Sequence, residues 1–321
     1  MRKVWIRSVG ILSAVHVITY FILGGVFLSL LQVIPENQRA SLDFFQFYQP
    51  FSSIALVTQW VRGLIIAIVC QPLLRSILET KRPWLVFTGV LWGIGFVGSV
   101  EPIPGSLEGM LYTITTPAEH LLAMGASLIQ TLLTVGLFLN TIKHEDKVNQ
   151  VSPIQDYGQH SKKKQIFSRM VLIHVATYWA VGVFFYQAFS VYQDAMESME
   201  LFQYWRSLEN GVMPFVIFFG QFFRGMIIAI FLKPFMPLFL NTPYGWLTMF
   251  KTLWGMTFLS AVSTTPWIIQ EILVGTAPVR ELLVGTPEVT VQMLIFSWWL
   301  NIWYNRSNRS TAQLPEPMQE S

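Results

Sequence analysis

Eight apolar stretches divide the 321 residues, at 8–34, 51–74, 84–100, 118–142, 166–192, 212–232, 246–262 and 285–304. About 20 mainly apolar residues suffice to cross a bilayer as a helix, within a range of roughly 17–25. Each stretch meets that length, the third and seventh being the shortest. In lipid the backbone must satisfy its own hydrogen bonds, so such stretches fold as helices. The expected fold class is all-α, a polytopic membrane protein with eight transmembrane helices. Charged residues make up only 12% of the chain, against about 25% in soluble domains. That deficit excludes a solvated globular enzyme, a disordered chain and a nucleic-acid binder.

The charges that remain are sorted by side. The N-terminus, the 75–82 loop, the 143–165 linker with Arg169 just beyond it, the 233–251 region and the C-terminus hold sixteen of the 21 basic residues and six of the 18 acids. The intervening loops hold three basic residues and twelve acids. Lys and Arg favour cytoplasmic loops, so both termini are expected on the cytoplasmic side of the cell membrane. The single cysteine, Cys70, lies in an apolar stretch, which excludes an intramolecular disulfide and a cysteine metal cluster.

The chain also repeats itself. His16-Val17-Ile18-Thr19-Tyr20 matches His174-Val175-Ala176-Thr177-Tyr178. Gln59-x-x-Arg62-Gly63 and the five residues after it match Gln221-x-x-Arg224-Gly225 and its sequel, with Pro72 and Pro234 beyond. Trp84-Leu85 through Trp92-Gly93 matches Trp246-Leu247 through Trp254-Gly255. A constant offset of 162 spans the last two blocks. The expected organisation is a first four-helix repeat (1–142), a polar cytoplasmic linker (143–165), a second four-helix repeat (166–304) and a disordered cytoplasmic tail (305–321). Four spans return the chain to its starting side, so the two repeats must run parallel, with any site at their interface near the midplane.

Two charges break the sorting. Arg62 and Arg224 fall about eleven or twelve residues into their stretches, near mid-bilayer at 1.5 Å per residue. Insertion of Arg there costs ~2.5–3.5 kcal/mol, and no acid lies deep in any stretch to offset it. Gln59 and Gln221, three residues earlier, share a helix face with the arginines. Other partners would be Glu101 or Glu108 folded inward from a loop, or a bound anion or lipid phosphate, which suits the guanidinium's two-pronged geometry. An equally weighted alternative makes each arginine a fold staple. The segments 105–117 and 267–278 are too short to cross; the first reading for them is an ordinary extracellular loop with surface acids, the second an interfacial or re-entrant element. There the halves diverge: Glu101 aligns with Ser263 and Glu108 with Gln270.

His16 and His174 each precede a tyrosine by one turn, Tyr20 and Tyr178. Interhelical hydrogen bonding is the leading role for them. A proton relay comes second, and haem b held between His16 and His174 third; otherwise no cofactor is expected. A GxxxxGK[ST] nucleotide loop, a His-Glu-x-x-His zinc motif and a Gly-x-Ser-x-Gly elbow are missing from the sequence.

These features favour a carrier or channel-like transporter of a small polar or anionic solute, seated on Arg62, Arg224, Gln59, Gln221, His16, His174, Tyr20, Tyr178, Glu101 and Glu108. One alternative is a membrane-embedded enzyme acting on a lipid or polyprenyl phosphate. Another is a non-catalytic membrane assembly subunit. The expected partners are the lipid bilayer and a small ligand, with no nucleic acid.

Overall fold

The computed structural model describes residues 2–46, 48–98, 102–143, 160–190, 203–206, 211–259, 265–275 and 285–312. Glu101 and most of the 143–165 linker therefore lie outside the described residues. Among those described, the chain is helical, with no strand beyond an isolated bridge between Thr113 and Trp205. Five helical stretches are long and apolar enough to cross a membrane: Ile6–Leu31, Ser53–Leu78, Pro117–Ile142, Gln165–Ala188 and Met213–Leu240. Their outward faces carry bare hydrocarbon: Phe215, Phe219 and Leu121 are each 66% exposed. A water-facing surface does not carry such contiguous apolar patches, and lipid accounts for them.

The first half runs through α1 (Arg2–Leu31), α2 (Ala40–Phe44), α3 (Ser53–Leu78), α4 (Pro83–Thr88), a π turn (Gly89–Gly93), α5 (Ile94–Gly98), α6 (Leu107–Tyr112) and α7 (Pro117–Lys143). The second runs through α8 (His160–Ala188), α9 (Met213–Leu232), α10 (Met236–Leu240), α11 (Gly245–Leu259), α12 (Thr265–Val274) and α13 (Thr286–Ala312). α1 packs on α3 and α7; α8 packs on α9 and α13. Across the middle, α3 meets α11 and α12, while α9 meets α5 and α6. One apolar core joins both halves, from Leu73, Ile77 and Phe87 to Leu232, Phe239 and Met249.

Glycine lets these crossings close. A Cβ on Gly93 would stand 2.2 Å from the Phe231 ring of α9, and one on Gly89 2.8 Å from it. Gly89-x-x-x-Gly93 is thus a small-residue groove that admits an aromatic side chain. The π turn spans the same five residues, and a wide turn of this kind is a local accommodation in an otherwise α-helical run. At the matching crossing in the second half, Gly255 faces the smaller Val69, 2.6 Å from a built Cβ, and α11 stays α-helical throughout. Trp92 and Trp254, matched in the repeat, each donate the indole N–H to a hydroxyl, Ser127 Oγ at 3.0 Å and Thr290 Oγ1 at 2.9 Å.

Three boundaries differ from the sequence expectation. α8 begins at His160, inside the 143–165 linker, and α13 continues to Ala312, into the 305–321 tail. Once a helix is nucleated, each added residue gains a hydrogen bond, so it propagates past its apolar part. The third difference is at the prolines. Pro72 is carried inside α3, whereas Pro234 and Pro237 together break the helix into a 3-10 turn (Lys233–Phe235) followed by α10. Two prolines three residues apart remove two backbone donors and crowd the preceding turn.

At the start of α7, Glu119 Oε2 accepts from the Thr116 amide (3.0 Å) and hydroxyl (2.9 Å), while its Oε1 accepts from the Ser41 amide (2.8 Å). Thr116 returns a contact to the Glu119 amide at 3.3 Å, completing a capping box. The same carboxylate thus caps α7 and ties down α2. Glu119→Ala is expected to cost ~1–2 kcal/mol, read as a lower unfolding midpoint in a fixed detergent.

Candidate functional site

Both predicted Arg–Gln pairs form, and both are sealed. Arg62 is 2% exposed and Arg224 4%. Arg62 Nη1 donates to Gln59 Oε1 at 3.2 Å; Arg224 Nη1 reaches Gln221 Oε1 at 3.4 Å. One helical turn separates the partners on a common face, so the geometry follows from the local sequence. Gly63 and Gly225 then let the neighbouring helix approach: a built Cβ would lie 3.0 Å from Ser13 Oγ on α1 or 3.2 Å from the His174 ring on α8. This approach sets His16 beside Gln59 and Arg62, and His174 beside Gln221 and Arg224. The His16–Tyr20 rings lie 6.5 Å apart at 40° and the His174–Tyr178 rings 6.4 Å apart at 41°.

Beyond these eight residues the two clusters differ. In the second, Glu108 of α6 crosses over and its Oε1 accepts from Arg224 Nη1 as a buried ion pair. The same oxygen accepts from Gln221 Nε2 at 3.3 Å. His174 Nε2 lies 3.3 Å from Gln221 Oε1. Tyr178 shares a hydrogen bond with Tyr112, whose ring packs against Trp205 at 5.5 Å. Tyr112 thus stands between this cluster and a strap of three residues, Tyr204, Trp205 and Arg206. The strap is fixed by Ile114 N–H to Tyr204 O (2.8 Å), Arg206 N–H to Tyr112 O (2.7 Å) and Arg206 Nε to Thr113 O (2.6 Å).

The placement of Glu108 is built locally. Gly105 adopts φ +83°, a left-handed conformation that suits glycine. Ser106 then caps α6 by accepting from the Gly109 amide at 2.8 Å. A Cβ on Gly109 would stand 2.1 Å from Ile103 O, so only glycine allows this tight entry. The result is a short helix whose first turn delivers Glu108 and whose last residue is Tyr112.

In the first cluster the neighbours are neutral. The Tyr20 hydroxyl accepts from the Gln49 amide at 3.2 Å, and the Tyr20 ring packs on Tyr48 at 5.2 Å. Tyr48 donates to Gln130 Oε1 at 3.0 Å. Burial pushes the Tyr48 phenol above its ordinary pKa, which keeps it a donor. Thr19 and Thr134 hydroxyls meet at 2.7 Å. A cavity of about 20 Å³ adjoins His16, lined also by Gln130, Thr131 and Thr134.

That cavity has room for one water, and His174 Nε2 is engaged by Gln221. No cluster of three metal-ligating side chains occurs among the described residues. Tyr112, Gln130 and Trp205 belong to the clusters but escaped sequence reasoning. Tyr112 carried one legible signal, its i+4 spacing from Glu108. Glu288, the second acid near Tyr112, carried none beyond being an acid at a span end. No family model matches the chain, and no characterised protein or solved structure is detectably similar to it.

Proposed function

We propose that the protein is a carrier of a small anionic solute, built as eight spans in two parallel four-helix units and held here in an occluded form. The units are 1–142 and 166–304, set in the cell membrane with both termini cytoplasmic. Three kinds of observation support the architecture: the matched Gln-x-x-Arg blocks, the near-identical His–Tyr geometries, and the exchanged Gly93–Phe231 and Gly255–Val69 contacts. α13 is long enough to cross at 27 residues, and the shorter apolar helix Pro83–Phe96 together with α11 supplies the two short spans.

One observation carries the functional reading. Two guanidinium groups sit at matched depth among glutamine, histidine and tyrosine side chains, which is costly for a fold that apolar residues could build more cheaply. Arg62 with Gln59 in one unit and Arg224 with Gln221 in the other supply the donors that an anion needs. In the second unit the Glu108 carboxylate accepts from both Arg224 and Gln221, which supports an anion as the ligand such a pair suits. The sealing of both arginines favours a second reading, a non-catalytic assembly subunit in which they are staples. It weighs against the lipid-phosphate enzyme, which needs a lateral opening at arginine depth.

Uptake into proteoliposomes separates the readings. The purified protein is offered labelled carboxylates, phosphate, nitrate and halides. Saturable uptake of at least one anion is expected. Arg62→Gln should reduce it ~10-fold or more, as expected for the loss of a charge-assisted hydrogen bond, with Arg62→Lys recovering part. Uptake no higher than in empty liposomes, from protein that is monodisperse and folded, would leave the assembly subunit.

A further inference from the structure

His16 and His174 occupy matched sequence positions, each with its own glutamine beside the ring, yet the two Nε2 atoms are met differently. His174 Nε2 lies 3.3 Å from Gln221 Oε1. Its ring is closed off by Phe296, edge-to-face at 6.2 Å. His16 is equally buried, at 6% exposure against 5%. Gln59 stands beside the His16 ring, but no group among the described residues meets Nε2 in hydrogen-bond geometry. A buried ring nitrogen left this way is costly unless something small and polar reaches it.

The space for such a group is present. The cavity of about 20 Å³ beside His16 is bounded on one side by Leu12, Ile66, Leu91 and Met256 and on the other by Gln130, Thr131 and Thr134. A buried water needs roughly 10–15 Å³ and two to four polar partners. The cavity volume and the wall chemistry both meet that requirement. Thr131 donates its own hydroxyl proton to Ser127 O at 2.8 Å, leaving its oxygen free to accept. Gln130 accepts from Tyr48 through Oε1, so its Nε2 faces its surroundings as a donor. The ring nitrogen of His16 donates or accepts according to its tautomer, and water answers either.

We propose that this cavity is a binding site for one water molecule, held between His16 Nε2 on α1 and the Gln130–Thr131 turn of α7. The site goes beyond the carrier reading and stands whether or not the protein moves a solute. Its consequence is an inequality between the two units. His16 exchanges hydrogen bonds with a water and, through Gln130 and Tyr48, with the loop that holds Gln49; His174 is fixed to its glutamine. The α1–α7 seam is wet where the α8–α13 seam is dry.

Water-edited solid-state NMR reads this directly. Full-length protein labelled with ¹⁵N-histidine is reconstituted in bilayers, and the five histidines are assigned by single His→Gln substitutions. Polarisation from water protons is expected to reach the His16 ring several-fold faster than the His174 ring. Transfer no faster at His16 than at His174 overturns the proposal. Thr131→Leu fills the cavity while leaving His16 in place, and should bring His16 down to the slow rate of His174; unchanged transfer overturns the assignment of the site. If that variant does not fold, Thr131→Val removes only the hydroxyl. It should slow transfer to His16, and unchanged transfer there again overturns the site.

Discussion

Glu108→Ala is expected to lower stability by ~3–5 kcal/mol, the range for deleting one member of a buried ion pair. Two features of the site set the size. Arg224 is 4% exposed and Glu108 6%, so no solvent is at hand to take over from the lost carboxylate. Gln221 loses an acceptor at the same time, because its amide and the guanidinium share Glu108 Oε1. The unfolding midpoint in lipid–detergent micelles measures the loss. Glu108→Leu combined with Arg224→Met removes both charges and should return stability to the native level or above it, by up to ~1–4 kcal/mol. The double variant then tests function on a sound fold. Abolished uptake means the pair is retained for transport; retained uptake makes it a staple between the halves. A cost below ~1 kcal/mol for Glu108→Ala, the level of an exposed pair, would mean that the two groups do not meet in the bilayer.

That pair marks the limit of what could be read from the chain alone. Gln59, Arg62, Gln221 and Arg224 are legible because one turn of one helix places them, and a local rule suffices. Glu108 was legible as an acid able to fold inward, yet its destination was not. It belongs to the first half and serves the second, since α6 packs on α9; a repeat offset aligns residues but says nothing of exchange between units. The histidines show the same limit from the other side. His16 and His174 sit in near-identical pentapeptides, and their partners differ because α7 presents Gln130 and Thr131 where α13 presents Phe296. Helix ends were legible only as far as hydropathy runs, so the extensions at His160 and Ala312 passed unseen. The π turn had a sequence mark in Gly89 and Gly93, but its cause, the Phe231 ring, comes from the other half.

Gly93→Val should cost ~3 kcal/mol or more as an overpacking defect. A built Cβ already stands 2.2 Å from the Phe231 ring, and the valine methyls extend further. Phe231→Ala alone should cost ~3–5 kcal/mol through the cavity it opens. The two defects are complementary, one adding volume where the other removes it. The double variant should therefore be more stable than the sum of its parts by ~0.5–3 kcal/mol, the coupling range for residues in contact. The paired crossing supplies an internal control: Gly255→Val with Val69→Ala should couple with the same sign and more weakly, because Val69 leaves a smaller void than Phe231. Coupling at both crossings ties the two halves together through exchanged side chains. Additive costs at Gly93 and Phe231 would mean that the third span of the first half and α9 are not in contact, and the exchange between units would have to be abandoned.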